Sequence, residues 1–162
     1  MTPDERQRRI EQYATGAQRL RDAVARVPDE ARAWRPSPDE FSVHEIACHC
    51  ADSETNAASR IRYLIAGKEP VILGYDPMTW AMTFDYQHHP LDAALAAIEA
   101  VRANTVPILR RMPDAAWASA GTHSESGRYT AEDWLRSYSD HIEQHIEQIA
   151  ATYAAWQQRG RG

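Results

Sequence analysis

From Thr130 to Trp156 large side chains recur every three or four residues: Trp134, Tyr138, His141, His145, Ile149, Thr152 and Trp156. That period places them on one face of an α-helix, with Glu143, Gln144 and Glu147 turned mostly to water. A helix of this length, at about 1.5 Å per residue, is on the order of 40 Å long and must lay its stripe against other long elements. Three further segments supply them. The spacing predicts a first helix over 3–27 (Ile10, Tyr13, Ala14, Ala17, Leu20, Val24, Val27) and a second over 42–66 (Ile46, His49, Cys50, Ser53, Ala57, Ile61, Leu64). A third runs over 91–112 (Leu91, Leu95, Ile98, Val101, Thr105, Ile108, Leu109), and the fourth covers 130–156. The starts are marked by capping boxes at Thr2/Glu5 and Ser42/Glu45, a box-like Thr130/Asp133, and prolines at Pro3 and Pro90. The fold class is therefore all-α, a four-helix bundle, in a chain of 162 residues that makes one domain over 1–157 and a polar, frayed tail over 158–162.

The connections differ in character. Residues 28–40 hold three prolines and one expected helical turn near 29–33. The 67–90 stretch is long for a compact domain and rich in aromatics, with Tyr75, Trp80, Phe84 and Tyr86, which suits a lid or wall over a pocket. Pro107 is expected to bend or break the third helix. A formal net charge of -5 argues against a nucleic-acid partner. No basic-then-apolar leader and no run of about 18 apolar residues is seen, so a cytoplasmic protein without a membrane partner is expected. Leu135 and Ala154 read as outward apolar positions that allow a homodimer.

The chemistry lies in the histidines. His141 and His145 are one turn apart on one face. His49 falls on the inward face of the second helix. Imidazoles facing an apolar core need partners for their ring nitrogens. Three neutral imidazoles on one divalent ion leave a coordination position open, as in catalytic sites. Zinc is the first expectation, with nickel, iron, cobalt or manganese as alternatives. The pattern is equally that of three core histidines capping other polar groups. Ile142 follows His141, so the glutamate of an HExxH protease is absent. His44 reads as exposed, and Asp85 with His88 forms no defensible ligand motif. Around the three histidines, Asp52 and Ser53 on the second helix, Tyr138 one turn before His141, and Trp80 and Tyr86 from the long connection are candidates for the pocket or for orienting an imidazole. Cys48 and Cys50 flank His49 and point away from it. Arg60 and Arg102 read as surface charges that could hold an anionic substrate.

The stretches Phe41-Ser42-Val43-His44-Glu45-Ile46-Ala47-Cys48-His49-Cys50-Ala51-Asp52-Ser53-Glu54 and His141-Ile142-Glu143-Gln144-His145-Ile146-Glu147-Gln148-Ile149 resemble the DinB-like superfamily, which includes the YfiT-type metal hydrolases. Helix order and length extend the resemblance over nearly the whole chain; Phe41 stands where members usually carry tryptophan. The resemblance implies an up-down-down-up bundle with a long connection between helices two and three. It implies a divalent metal held by His49, His141 and His145, and commonly a homodimer. It implies a metal-dependent enzyme acting on a small molecule, either a hydrolase or a transferase using a low-molecular-weight thiol. The alternative is a non-catalytic protein that binds or senses a small molecule or metal.

Overall fold

In the computed structural model, which describes residues 1–159, six helices and a three-stranded sheet follow in the order α1 (Pro3–Ala25), α2 (Asp29–Arg32), α3 (Val43–Ala66), β1 (Val71–Ile72), α4 (Pro77–Thr83), α5 (Leu91–Arg111), β2 (Ala120–His123), β3 (Gly127–Thr130) and α6 (Ala131–Gln158). Single 3-10 turns cover Tyr86–His88 and Asp114–Ala118. The four long helices are those read from the stripes. Both sides of the capping box are made at Ser42/Glu45 and at Thr130/Asp133, whereas Thr2 only accepts from the Glu5 N–H. Of the expected frayed tail, Gln158 closes α6, Arg159 caps it, and 160–162 lie outside the described residues. α5 runs unbroken through Pro107.

Cross-helix contacts fix the topology. Along α1, Met1 meets Glu132, Arg9 meets Asp140 and Arg19 meets Glu143, so α1 and α6 run parallel. Glu54 meets Arg102 and Arg62 meets Thr105, so α3 and α5 are also parallel. Trp134 Nε1 donates to Ala57 O while His141 lies by Ser53, so α3 and α6 are antiparallel. The bundle is up-down-down-up. The parallel pair α3 and α5 cannot be joined by a tight turn, and residues 67–90 carry the chain back past the bundle.

That return strand explains the sheet, which the helical periodicities do not announce. β1 pairs parallel with β2 (Val71 opposite Thr122), and β2 pairs antiparallel with β3 (Gly121 opposite Tyr129). Gly127 closes the hairpin with φ 76°, a conformation that glycine adopts freely. The sheet clips the α3–α5 connection to the segment that leads into α6.

Two expectations about burial are overturned. Arg102, taken for a surface charge, is 1% exposed at the centre of the bundle. Its Nη1 donates to Tyr13 O of α1 (2.6 Å); its Nη2 donates to Glu54 of α3 (2.6 Å) and to Tyr138 O of α6 (3.2 Å). One side chain of α5 thus ties the other three helices. Gly16 makes room for it, since a Cβ there would overlap Nη1. The buried face of α5 is rotated accordingly: Arg102 and Val106 are in, Val101 and Ile108 only partly so. Leu135, read as outward, is fully buried, because α6 packs against both α1 and α3 and needs a wide apolar arc; the dimer argument from Leu135 falls, while Ala154 is exposed.

Candidate metal centre

α3 and α6 cross where His49, His141 and His145 face one another. One ligand nitrogen from each lies within 4.8 Å of the others. Ring centroids are 5.4 Å apart for His49–His141, 4.9 Å for His49–His145 and 4.5 Å for His141–His145. The sequence spacing explains this: His141 and His145 share a face one turn apart, and the Ser42 cap sets His49 on the side of α3 that α6 covers. Phe41, just before that cap, packs its ring 5.7 Å from His49.

One outer nitrogen is held by a hydrogen bond and a second lies near a carboxylate. His145 Nδ1 donates to Gln148 Oε1 (2.8 Å), which leaves the Nε2 lone pair pointing at His141 Nε2, 3.2 Å away. Glu54 Oε1 lies 3.8 Å from His141 Nδ1, too far for a hydrogen bond but near enough for its charge to favour a proton on that nitrogen. Burial alone would raise the Glu54 pKa, yet Arg102 beside it and His141 hold the carboxyl below the usual range. With protons on both Nδ1 atoms, two Nε2 lone pairs confront each other. Ser53 Oγ, 3.4 Å from His141 Nε2, can donate to only one of them. His49 adds a buried Nδ1 without a hydrogen-bond partner. Burial, and then the neighbouring histidines, lower the pKa of His49 to about 3 and, with His141 the chief neighbour, that of His145 to about 4. Both rings are neutral at pH 7, the form that binds metal. Three ring nitrogens that converge, with one hydroxyl beside them as the single neighbouring donor, fit a divalent cation.

The histidines open into a cleft of about 340 Å³ lined also by Ser53, Arg60, Tyr75, His123 and Glu125. Arg60 Nη1 donates to Tyr138 Oη (2.8 Å) and Nη2 to Leu73 O. Tyr138 itself stands behind Arg60, its ring 5.9 Å from that of His141. Asp52, Trp80 and Tyr86 do not line this cleft; with Cys48, Ala51, Phe84 and His89 they line a neighbouring one of about 350 Å³, where Tyr86 Oη donates to Asp52. The stack of Tyr75 on Trp80, 4.0 Å between centroids, separates the two. The long connection is therefore a wall, but Tyr75 rather than Trp80 or Tyr86 faces the histidines. His44 bonds to His89 O away from the site, and His88 pairs with Asp85 in solvent. Burial pushes the Cys48 thiol up to about 12, which leaves it unreactive at neutral pH. Sequence reasoning missed Glu54 and Gln148 as supports, and His123 and Glu125, which arrive on the unanticipated hairpin. Gln148, three residues after His145 on the same helix, was within reach of the spacing argument; the hairpin residues had no local signal.

The sequence profile described as the DinB superfamily matches residues 12–149. "Putative metal-dependent hydrolase OB0782" of Oceanobacillus iheyensis is 30% identical over 111 residues, 68% of this chain and 64% of that protein, so the chain spans slightly under two thirds of that relative. "Putative metal-dependent hydrolase YfiT" of Bacillus subtilis is 24% identical over 132 residues, 81% of this chain and 74% of that one. The solved structure of Bacillus subtilis YfiT, described as a probable metal-dependent hydrolase with an unusual four-helix bundle topology, superposes with a TM-score of 0.87 at 21% identity. The match covers 94% of this chain and 87% of YfiT, and shows a shared fold.

Proposed function

We propose a function from this premise: the chain belongs to the DinB superfamily. Its cleft is that of a metal-dependent hydrolase acting on a small molecule, with His49, His141 and His145 as ligands. The observation that carries the reading is the pair of Nε2 atoms 3.2 Å apart, with Gln148 bonded to the outer nitrogen of His145 and the Glu54 carboxylate 3.8 Å from that of His141. The names of the relatives support hydrolysis over other metal chemistry.

A divalent ion held there supplies Lewis acidity toward a substrate oxygen and toward water. The chain's own residues do the rest. Gln148 and Glu54 keep the outer nitrogens of His145 and His141 protonated, so that the inner ones can act as ligands. Arg102 keeps Glu54 charged in a place where an unpaired carboxylate would neutralise itself. Ser53 places a hydroxyl beside His141 Nε2. Tyr75 closes one side of the cleft, which limits water around a bound substrate.

The test is to load the protein in turn with zinc, nickel, cobalt, iron and manganese and assay a panel of activated esters and amides, with and without a low-molecular-weight thiol and an electrophile. Metal-dependent hydrolysis that disappears in His49→Ala is the expected result. Turnover only with thiol present would replace hydrolysis by thiol transfer. Tight ion binding with no turnover in any arm would make the protein a carrier or sensor.

A further inference from the structure

The charge around the cleft does not balance. The three imidazoles are neutral ligands, so an ion bound to them keeps its full charge. The buried carboxylate behind them, Glu54, is already matched by Arg102 at 2.6 Å. Arg60, on the wall of the same cleft, adds a further positive charge. Among the described residues it forms no ion pair: its partners are the Tyr138 hydroxyl and the Leu73 carbonyl, both neutral, and its guanidinium carbon lies 5.9 Å from the centroid of the Tyr75 ring. Glu125, on the exposed hairpin turn, is the single carboxylate that lines the cleft. One negative charge against an arginine and a divalent ion leaves the cleft strongly positive. Nine other arginines of the described chain form ion pairs with carboxylates and six more form none, so what sets Arg60 apart is its place on the cleft wall, beside the three histidines, rather than the lack of a carboxylate partner.

We infer that Arg60 is the anion-binding residue of the cleft and that the substrate is a small molecule carrying a carboxylate or phosphate group. The two bonds to Tyr138 and Leu73 use part of a five-donor fork and hold it in place; the remaining donors are those a planar oxyanion takes in pairs. Tyr138 comes from α6, which also carries His141 and His145, and Leu73 follows β1 in the long connection that walls the cleft, so the fork is positioned by elements of the site itself. The substrate class rests on the hydrolase reading; the anion site itself does not.

The experiment keeps these apart. Inorganic phosphate, acetate and neutral acetamide are titrated against metal-free and zinc-loaded protein. Affinity is followed by calorimetry, and the Arg60 Nε–Hε resonance is followed by NMR. Phosphate or acetate, but not acetamide, is expected to bind the metal-free protein and shift the Arg60 resonance; the tighter of the two names the anion. Arg60→Gln should weaken that binding by about tenfold or more, the worth of a hydrogen bond to a charged group. Arg60→Lys, which keeps the charge but loses the fork, should fall between. Arg110→Gln, on the far side of the bundle, should change nothing. If Arg60→Gln does not fold, the wild-type resonance and Arg60→Lys decide. Anion binding that ignores Arg60 substitution, or that appears only with zinc and leaves the Arg60 resonance unmoved, overturns the inference. So does the absence of binding in both forms at tens of millimolar. Arg60-dependent anion binding in a protein that takes up no metal would leave the inference standing and remove the hydrolase reading.

Discussion

Two polar sites are buried in this bundle within reach of the same residue, Glu54, and they are built on opposite rules. Around Arg102 donors meet acceptors: both Nη atoms are bonded, to a carboxylate and to two backbone carbonyls from different helices. Around the three histidines two Nε2 atoms stand 3.2 Å apart, acceptor against acceptor once both Nδ1 atoms hold the protons. The first arrangement sets charge against opposite charge and fixes how the helices sit, although Arg102 Nε and Glu54 Oε2 stay buried without partners. The second gathers the ring nitrogens on which the proposed metal site rests. The two clusters thus differ in whether the groups that face each other are complementary.

The hardest way to break the comparison is at its closed side. Arg102→Met leaves Glu54 charged, buried and unmatched, and should cost about 3–5 kcal/mol in urea unfolding. The double variant Arg102→Met/Glu54→Gln should recover most of that loss; if it does not, the guanidinium's carbonyl bonds rather than its ion pair hold the bundle. On the open side, His145→Ala should leave unfolding in the metal-free state nearly unchanged. It should lower metal affinity by more than about 100-fold, beyond the roughly 10–100-fold that outer partners are worth. Metal analysis of His44→Ala, expected to match wild type, is the control.

Acid sharpens the contrast next. The folded-state values of His49 and His145, about 3 and about 4, lie below the ordinary histidine value of 6.5, so the unfolded chain takes up protons first. Stability of the metal-free protein is then full above pH 6.5 and is lost progressively as pH falls toward 4. Unfolding midpoints between pH 7 and 4.5 check the sign; a midpoint that rises on acidification would refute it. The smallest effect is expected at Gln148→Ala, which frees His145 Nδ1 and should weaken metal binding by about tenfold, near 1.4 kcal/mol, with little change in stability. An unchanged affinity would show that His145 needs no support.

How much of this was legible beforehand follows the range of the interactions. The four helices and their caps are local, carried by Ser42, Glu45, Thr130 and Asp133 and by stripes of period 3.6, and they were readable. The histidine placement on inward faces was readable for the same reason. Arg102 was not, although the signal exists: it stands four after Ile98 and three before Thr105, within the α5 stripe, just as Glu54 stands four after Cys50 and three before Ala57 within the α3 stripe. Residue type overrode position; two opposite charges on two buried stripes are better read as partners. The β1–β2 pairing joins segments about 50 residues apart with strands of two and four residues, too short to show a period, and His123 and Glu125 reached the cleft only through it.

The parallel run of α1 and α6 has a consequence in time. The first helix finds its neighbour only after the last has been made: Met1 meets Glu132 and Arg9 meets Asp140, contacts that span some 130 residues. Contacts of that span are slow to form, since the loop they close must lose its freedom first. The flank of α1 and α3 that α6 covers stays open until α6 is in place, and α6 brings His141 and His145 with it. The three histidines of the proposed metal site therefore come together only when α6 docks, so any affinity they have for an ion belongs to the completed bundle.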